Sequence, residues 1–170
     1  MIIGTKKYFF LLAYSLFAIY FLLFAYRLSL ITVHRMTVEV IDHTADIGFR
    51  ITADSAEEIF REGAFAMFGI LVEEKGRGSE EIVGLDIKDE TGENLFLRWF
   101  NEILYLFQVK HLILKEIKNI QLKDRSLKAR LIMVKDTDVK TGLEIKSATY
   151  HGLKLEEKDG KWTGEVIFDV

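Results

Sequence analysis

A stretch of nineteen residues, Tyr8–Tyr26, divides this chain into two parts of different chemistry. Its only polar member is Ser15, and it is long enough to cross the hydrocarbon core of a bilayer as a helix. Two interpretations are open: the stretch anchors a following domain in a membrane, or translation starts later, at Met36. In both cases we expect residues 1–35 to be an extension with an apolar helix, outside a domain at 36–170. We expect a cytoplasmic protein, attached to a membrane only if residues 8–26 are translated.

The domain at 36–170 is acidic, with 19 Lys and Arg residues against 26 Asp and Glu residues, a net charge of −7. Tight, unaided binding of nucleic acid needs clustered basic residues, so this balance argues against it. The chain has no Cys, which excludes disulfides, thiolate metal sites and a Cys nucleophile.

Two segments have the apolar periodicity of amphipathic helices. The first begins at a capping box, Ser55 to Glu58, and runs to about Val72. The second runs from about Glu93 to Gln108, with Asn101 among the residues expected to face outward. Its expected buried stripe consists of Phe96, Trp99, Phe100, Ile103, Leu104 and Phe107.

The rest of the domain reads as about seven strands, several with alternating apolar residues, as in Leu127–Val134. Asp159-Gly160 is a strong hairpin signal, and it should pair the strand containing His151 with the last strand, Trp162–Val170. Two helices among strands joined by tight turns indicate an α+β fold. We expect both helices to cover one face of a largely antiparallel sheet.

The segment Asp42–Gly48 places two carboxylates and an imidazole between two strand-like runs. It is either a turn, where Asp is common, or part of a site. If the last strand lies beside the first, Asp46, Asp169 and the Val170 carboxylate meet. Carboxylates so close repel one another unless a cation lies between them, and oxygen ligands suit a hard ion such as Ca²⁺ or Mg²⁺.

Further candidates follow from the predicted hairpin, which brings Tyr150, His151 and Lys154 towards Asp169. His151 either lines the carboxylates or lies at the rim of the sheet. Lys146 presents its charge to a partner, to a nucleotide phosphate or to water. His43 could orient a ligand or act as a base. No combination of nucleophile, base and oxyanion donor is recognisable in the sequence.

Several segments, in this order, resemble the archease family. They are Asp42–Ile47, Ala64–Gly69, Leu104–Phe107, Ile145–Lys154 and Asp169–Val170. The resemblance spans about residues 36–170, and its beginning close to Met36 favours the later start. The chain departs from the pattern at residues 135–144, where many members have a longer, His-containing loop.

The resemblance implies a function and a site. Archeases are protein cofactors of RtcB-type RNA ligases in tRNA splicing, promoting guanylylation of the ligase and its multiple turnover without being enzymes themselves. Asp46, Asp169 and the Val170 carboxylate match the family's metal-binding positions, for which Ca²⁺ is the usual ion. Asp42 and His43 belong to the same motif without an assigned role, and Lys146 matches a shared Lys position.

The partner implied by the resemblance is the ligase. The resemblance implies that tRNA and GTP are bound by the ligase and reach this chain only indirectly. Two alternatives remain at this stage. One is a small metal-dependent hydrolase that uses the same carboxylates, with His43 or His151 as its base. The other is a membrane-tethered interaction domain.

Overall fold

The computed structural model describes residues 36–43, 46–74 and 77–170, and of Asp42 and His43 only the backbone. The apolar stretch at 8–26 lies outside these ranges, and so does its expected helix. No helix in the described ranges has the length and hydropathy to cross a membrane. The elements are β1 Thr37–His43, β2 Asp46–Ala53, α1 Ala56–Leu71, β3 Ser79–Lys88, α2 Gly92–Gln108, β4 Leu112–Lys123, β5 Ser126–Lys135, β6 Ser147–Lys158 and β7 Lys161–Asp169.

The described strands form two antiparallel sheets, in the orders β1-β2-β7-β6 and β3-β5-β4. The α+β class with antiparallel strands is therefore confirmed. The expectation of one sheet is wrong, because α1 carries the chain from β2 into a second sheet that begins with β3. Alternation of apolar and polar residues along a strand indicates which face of the strand is buried. It does not indicate which strand lies beside it.

Both helices begin as the sequence indicates. The Ser55 side-chain oxygen accepts a hydrogen bond from the Glu58 N–H at 3.3 Å, and the Glu58 carboxylate accepts one from the Asp54 N–H at 3.0 Å. The Thr91 hydroxyl accepts the Asn94 N–H at 3.0 Å and caps α2. These side chains pair backbone donors that have no partner within the helix.

The core lies where the helices meet the two sheets. Helix α1 contacts β2 and β4, and α2 contacts β6 and β4, so each helix packs against strands of both sheets. Edge-on ring contacts link the sheet containing β7 to both helices: the Phe168 and Phe100 ring centres are 5.3 Å apart, and those of Phe96 in α2 and Phe60 in α1 are 5.0 Å apart. Such pairs add to the stabilisation from area burial.

The predicted stripe of α2 is buried in the structure, with Phe107 partly exposed. The outward placement of Asn101 is wrong. Asn101 is half-buried, and its side chain accepts the Ala148 N–H at 2.9 Å and donates to the Ala148 carbonyl at 3.3 Å. It is turned inward because β6 packs along this side of α2 and supplies two backbone groups that need partners.

The predicted hairpin at Asp159-Gly160 is confirmed. Both residues have positive φ, 52° and 74°, as a type I′ turn requires. The turn joins β6 to β7, with Lys158 opposite Lys161. The terminal strand is thereby held between β2 and β6.

Candidate functional site

The register of β2 and β7 places Asp46 directly opposite Asp169. In an antiparallel pair, residues that face each other have Cα atoms about 4.5–5.5 Å apart. On the neighbouring strands, His43 of β1 lies opposite Asp46, and Ser147 of β6 lies opposite Asp169. We call Asp46, Asp169 and Val170 the acidic edge.

The two Asp side chains of the acidic edge share the face of the sheet that is turned away from the helices. On β2 the buried side chains are Phe49 and Ile51, and on β7 they are Val166 and Phe168. Side chains alternate along a strand, so Asp46 and Asp169 project on the other side. Asp46 is half-buried and Asp169 is exposed, so a group bound between them is accessible from solvent.

Lys146 approaches the acidic edge from the start of β6. Its Nζ donates a hydrogen bond to Val170 O at 2.9 Å, and its backbone N–H donates to Asp169 O at 2.8 Å. Within the described ranges, no Lys or Arg forms an ion pair with the side chain of Asp46 or Asp169. The negative charge of this edge is therefore offset by Lys146 alone among the described residues, and only at Val170.

The structure does not bring Tyr150, His151 and Lys154 to Asp169. Ser147 takes the position opposite Asp169, and the pairing of β6 with β7 is irregular between Thr149 and Lys154. His151 is four residues beyond Ser147, roughly 13 Å along an extended strand. The irregularity also moves Lys154 opposite Glu165, where its Nζ lies 3.7 Å from Glu165 Oε1.

Glu165 forms a separate charged group on the same face as the acidic edge. Arg50 Nε donates a hydrogen bond to Glu165 Oε1 at 3.0 Å. This hydrogen bond, together with the positive charges of Arg50 and Lys154, lowers the pKa of Glu165, although partial burial acts in the opposite direction. Glu165 is therefore already paired with cations, whereas within the described ranges neither Asp side chain of the acidic edge has such a partner.

The donor set of the acidic edge suits a hard cation but is small. Within the described ranges, no three side chains of His, Cys, Asp or Glu converge closely enough to hold a metal ion. The site therefore has two side-chain carboxylates, and any further oxygen must come from Val170, the backbone, water or a partner. The side chains of Asp42 and His43 lie outside the described part.

Two residues that the sequence analysis did not assign to the site hold Lys146 in place. Asn101 binds both backbone groups of Ala148, and Gln108 Nε2 donates to the Ile145 carbonyl at 2.6 Å. Together they fix the backbone on both sides of Lys146 against α2. Their signal in the sequence is a pair of amide side chains two helical turns apart, on a helix that is otherwise apolar over much of its surface.

A cavity of about 560 Å³ adjoins Lys146, a size in the usual range for small-molecule sites. Its titratable lining residues are Glu144 and Lys146, and no His lines it. The full lining is Leu71, Phe107, Gln108, Thr141, Gly142, Leu143, Glu144, Ile145 and Lys146. None of the described residues that line this cavity supplies an imidazole base, and the candidate base opposite Asp46 in the register is His43 of β1.

Comparison with known proteins places this arrangement in a family. Residues 38–170 match the Archease protein family (MTH1598/TM1083). The archease of Methanosarcina mazei is 32% identical over 139 residues, which cover 78% of this chain and 94% of that protein. The archease of Archaeoglobus fulgidus is 30% identical over 137 residues, covering 79% of this chain and all of that protein.

Two solved structures have the same fold. The solution structure of Methanobacterium thermoautotrophicum protein 1598 superposes with a TM-score of 0.61 at 25% identity, covering 78% of this chain and 98% of that one. The crystal structure of a Thermotoga maritima archease, described as a possible chaperone, has a TM-score of 0.51 at 28% identity, covering 81% and 100% of the two chains. With the matched range and the identities above, this chain belongs to the archease family.

Proposed function

We propose that this chain is a non-catalytic, metal-binding activator of an RtcB-type RNA ligase, promoting guanylylation of the ligase and its repeated turnover. The family membership supports the class of function. The observation that supports the site is the register that puts Asp46 opposite Asp169. A role exerted through a protein partner also agrees with the description of the Thermotoga maritima relative as a possible chaperone.

We propose Ca²⁺ as the bound ion, held by the carboxylates of Asp46 and Asp169 and by the carboxylate of Val170. Like charges that face each other across two strands destabilise the sheet, and a cation between them removes that repulsion. Ca²⁺ takes oxygen ligands in flexible geometry, so carboxylates at the end of a sheet suit it. When bound, the ion supplies positive charge to which an acidic or phosphate group of the partner can be attracted.

The chain's own residues prepare the acidic edge for a partner. Lys146 fixes Val170 O by its hydrogen bond, while Asn101 and Gln108 hold the backbone around Lys146. Because Asp169 is exposed at the end of the sheet, a partner group can reach the edge. Activation then requires that the ligase state competent for guanylylation binds this edge more tightly than the other states do. In this proposal tRNA and GTP are contacted by the ligase.

A metal-dependent hydrolase is the competing function for the same carboxylates. It needs an open coordination position beside a base. His151 lies four residues along β6 from the position opposite Asp169, and the cavity beside Lys146 has no His. The other candidate base, His43, lies opposite Asp46 in the register of β1 and β2. An assay of the purified protein alone for metal-dependent hydrolysis separates this function from the activator.

Turnover of the cognate RNA ligase tests the proposal, measured with wild-type protein and with the Asp46→Asn and Asp169→Asn variants. We expect each variant to lower the stimulated rate at least tenfold, because one lost charge-assisted contact is worth about 1.5–3 kcal/mol. Asp86→Asn is the matched control, since Asp86 is an exposed strand carboxylate of the other sheet, 3.2 Å from Lys128 Nζ. Full stimulation by both edge variants would remove the carboxylates from the mechanism.

A further inference from the structure

Strand β1 presents non-polar side chains to solvent at one edge of its sheet. Val40 is 62% exposed and Val38 is 38% exposed, and Met36, just before the strand, is 40% exposed. Val38 and Val40 lie opposite Ile51 and Phe49, two core residues of β2, and so share the inner face of the sheet with them. Within the described ranges β1 has β2 as its only strand neighbour, so the backbone groups on its other side have no strand partner there.

The other edge strands have features that oppose pairing with another chain. Strand β6 is irregular between Thr149 and Lys154. The register of β4 shifts twice, and this strand carries Lys115 and Lys118. Bulges and lysines at an edge are common protections against strand addition.

Strand β3 is regular but charged. Four of its ten residues are Glu, Asp or Lys, among them Glu80, which pairs with Lys115, and Asp86, which pairs with Lys128. Its one strongly exposed non-polar residue is Ile82, at 68%. At this edge the exposed Ile82 is therefore surrounded by charged residues, which oppose the addition of another strand.

Strand β1 has no bulge and no lysine, and two of its seven residues, Glu39 and Asp42, are acidic. All seven residues of Thr37–His43 pair with β2 without a register shift, and none is Lys, Arg, Gly or Pro. A long, regular edge strand with exposed valines is the type of edge to which another strand adds.

We propose that β1 pairs in antiparallel orientation with β1 of a second copy of this chain, around a two-fold axis at Val40. A seven-residue strand centred on Val40 overlaps completely with its own copy in this register. Val40 then faces Val40 of the second copy, and the two four-stranded sheets become one continuous sheet. The interface is self-complementary, as a two-fold dimer requires.

The charges of β1 are compatible with this register. Glu39 lies opposite Ile41 and Asp42 opposite Val38, so no acidic residue faces another directly, and Thr37 lies opposite His43. The valines of both copies gather on the inner face, where burial stabilises them by about 25 cal/mol per Å² of non-polar area. Because each domain carries a net charge of −7, salt should strengthen the association by screening repulsion.

This inference goes beyond the proposed function and is independent of it. In the two-fold register the His43 end of one strand meets the Thr37 end of the other. The acidic edges, which adjoin the His43 ends, therefore lie at opposite ends of the shared strand pair. Each copy keeps its own edge open to a partner.

Sedimentation velocity on residues 36–170 tests the proposal at protein concentrations from about 5 to 500 μM, in the range of a small, weak interface. This span contains the described fold and matches 94–100% of the length of two archease relatives, so we expect it to fold without residues 1–35. We expect a monomer–dimer equilibrium that tightens from 0.05 to 0.5 M NaCl. A monomer throughout this range would overturn the proposal.

Two variants show which strand is responsible. Val40→Lys should weaken the dimer at least tenfold, since it places two like charges at the axis. Ile82→Lys is the matched control, because it adds the same charge at an equally exposed aliphatic residue of another edge strand, and it should leave the dimer unchanged. A Val40→Lys dimer as tight as the wild type would contradict the proposal.

Amide hydrogen exchange of the wild-type protein provides a readout without any substitution. The N–H groups of Thr37–His43 that face away from β2 should become protected as the protein concentration rises, while those of β3 should not. Unchanged exchange in β1 across the dimer transition would also contradict the assignment of the interface.

Discussion

At the scale of single residues, Asp46 and Asp169 face each other across two paired strands, where like charges destabilise a sheet. Neither carboxylate has an ion-pair partner within the described ranges. We therefore expect the sheet end to be destabilised in the absence of a cation, and a bound cation to remove this effect. This property makes the stability of the domain a direct probe of the site.

Removing one of the two charges should change stability in opposite directions with and without calcium. In EDTA, Asp46→Asn should raise the free energy of unfolding by about 0.5 kcal/mol, because the repulsion is lost. With Ca²⁺ at about 100 times its Kd, the wild type should gain about 2.7 kcal/mol and the variant far less. Urea denaturation in the two buffers measures both effects.

The control for this comparison is Asp86→Asn. Its ion pair with Lys128 is an exposed contact at 3.2 Å, worth at most about 1 kcal/mol, and it lies on the other sheet. This variant should gain as much stability from Ca²⁺ as the wild type does. If Asp46→Asn also gained the full amount, Asp46 would not be a ligand.

The sequence predicts some of these positions better than others. The position of Asp46 beside Asp169 could be predicted, because both acidic residues lie near the ends of strand-like runs, and strand ends meet when the strands pair. The distance of His151 from Asp169 could not be predicted, because it depends on the irregular pairing between Thr149 and Lys154. Strand pattern alone assumes regular pairing and has no signal for such a shift.

At the scale of elements, the packing of α1 against α2 and β2 depends on close approach at one glycine. A Cβ added to Gly63 would lie 2.7 Å from Phe100 Cζ and 2.9 Å from Ile51 Cδ1. Gly69 lies further along the same helix, and a Cβ there would meet nothing within 4 Å. One glycine is thus required by packing, and the other only weakens the helix.

Alanine substitution should therefore have opposite effects at these two positions. Gly69→Ala should stabilise the domain by about 0.5–1 kcal/mol, the difference in helix propensity. Gly63→Ala gains the same propensity but forces Phe100 and Ile51 to move, and it should destabilise by about 1–3 kcal/mol. Chemical denaturation of both variants measures the contrast, and equal effects would contradict the packing described.

The number of sheets was not predictable from the elements, although their types were. The strand pattern of Leu127–Met133 identifies its buried face, and those residues are buried in the structure. The same pattern fits a strand in either sheet, because each sheet packs one face on the helices and both therefore produce the same alternation of apolar and polar residues. The order β3-β5-β4 is set by long-range pairing that leaves no local signature.

At the scale of the whole molecule, the acidic edge is assembled from the two ends of the described domain. Asp46 comes from the second strand and Asp169 from the last, and they meet because β7 inserts between β2 and β6. The proposed site therefore requires that the complete sheet has formed. Ion binding should couple to global stability rather than to one local segment.

The most direct test of this account is a crystal structure of residues 36–170 grown with calcium, with anomalous scattering used to locate the ion. The account predicts one strong peak between Asp46 and Asp169, at about 2.3–2.6 Å from a carboxylate oxygen of each. No peak at this edge under saturating calcium, or a peak held only by other residues, would contradict it.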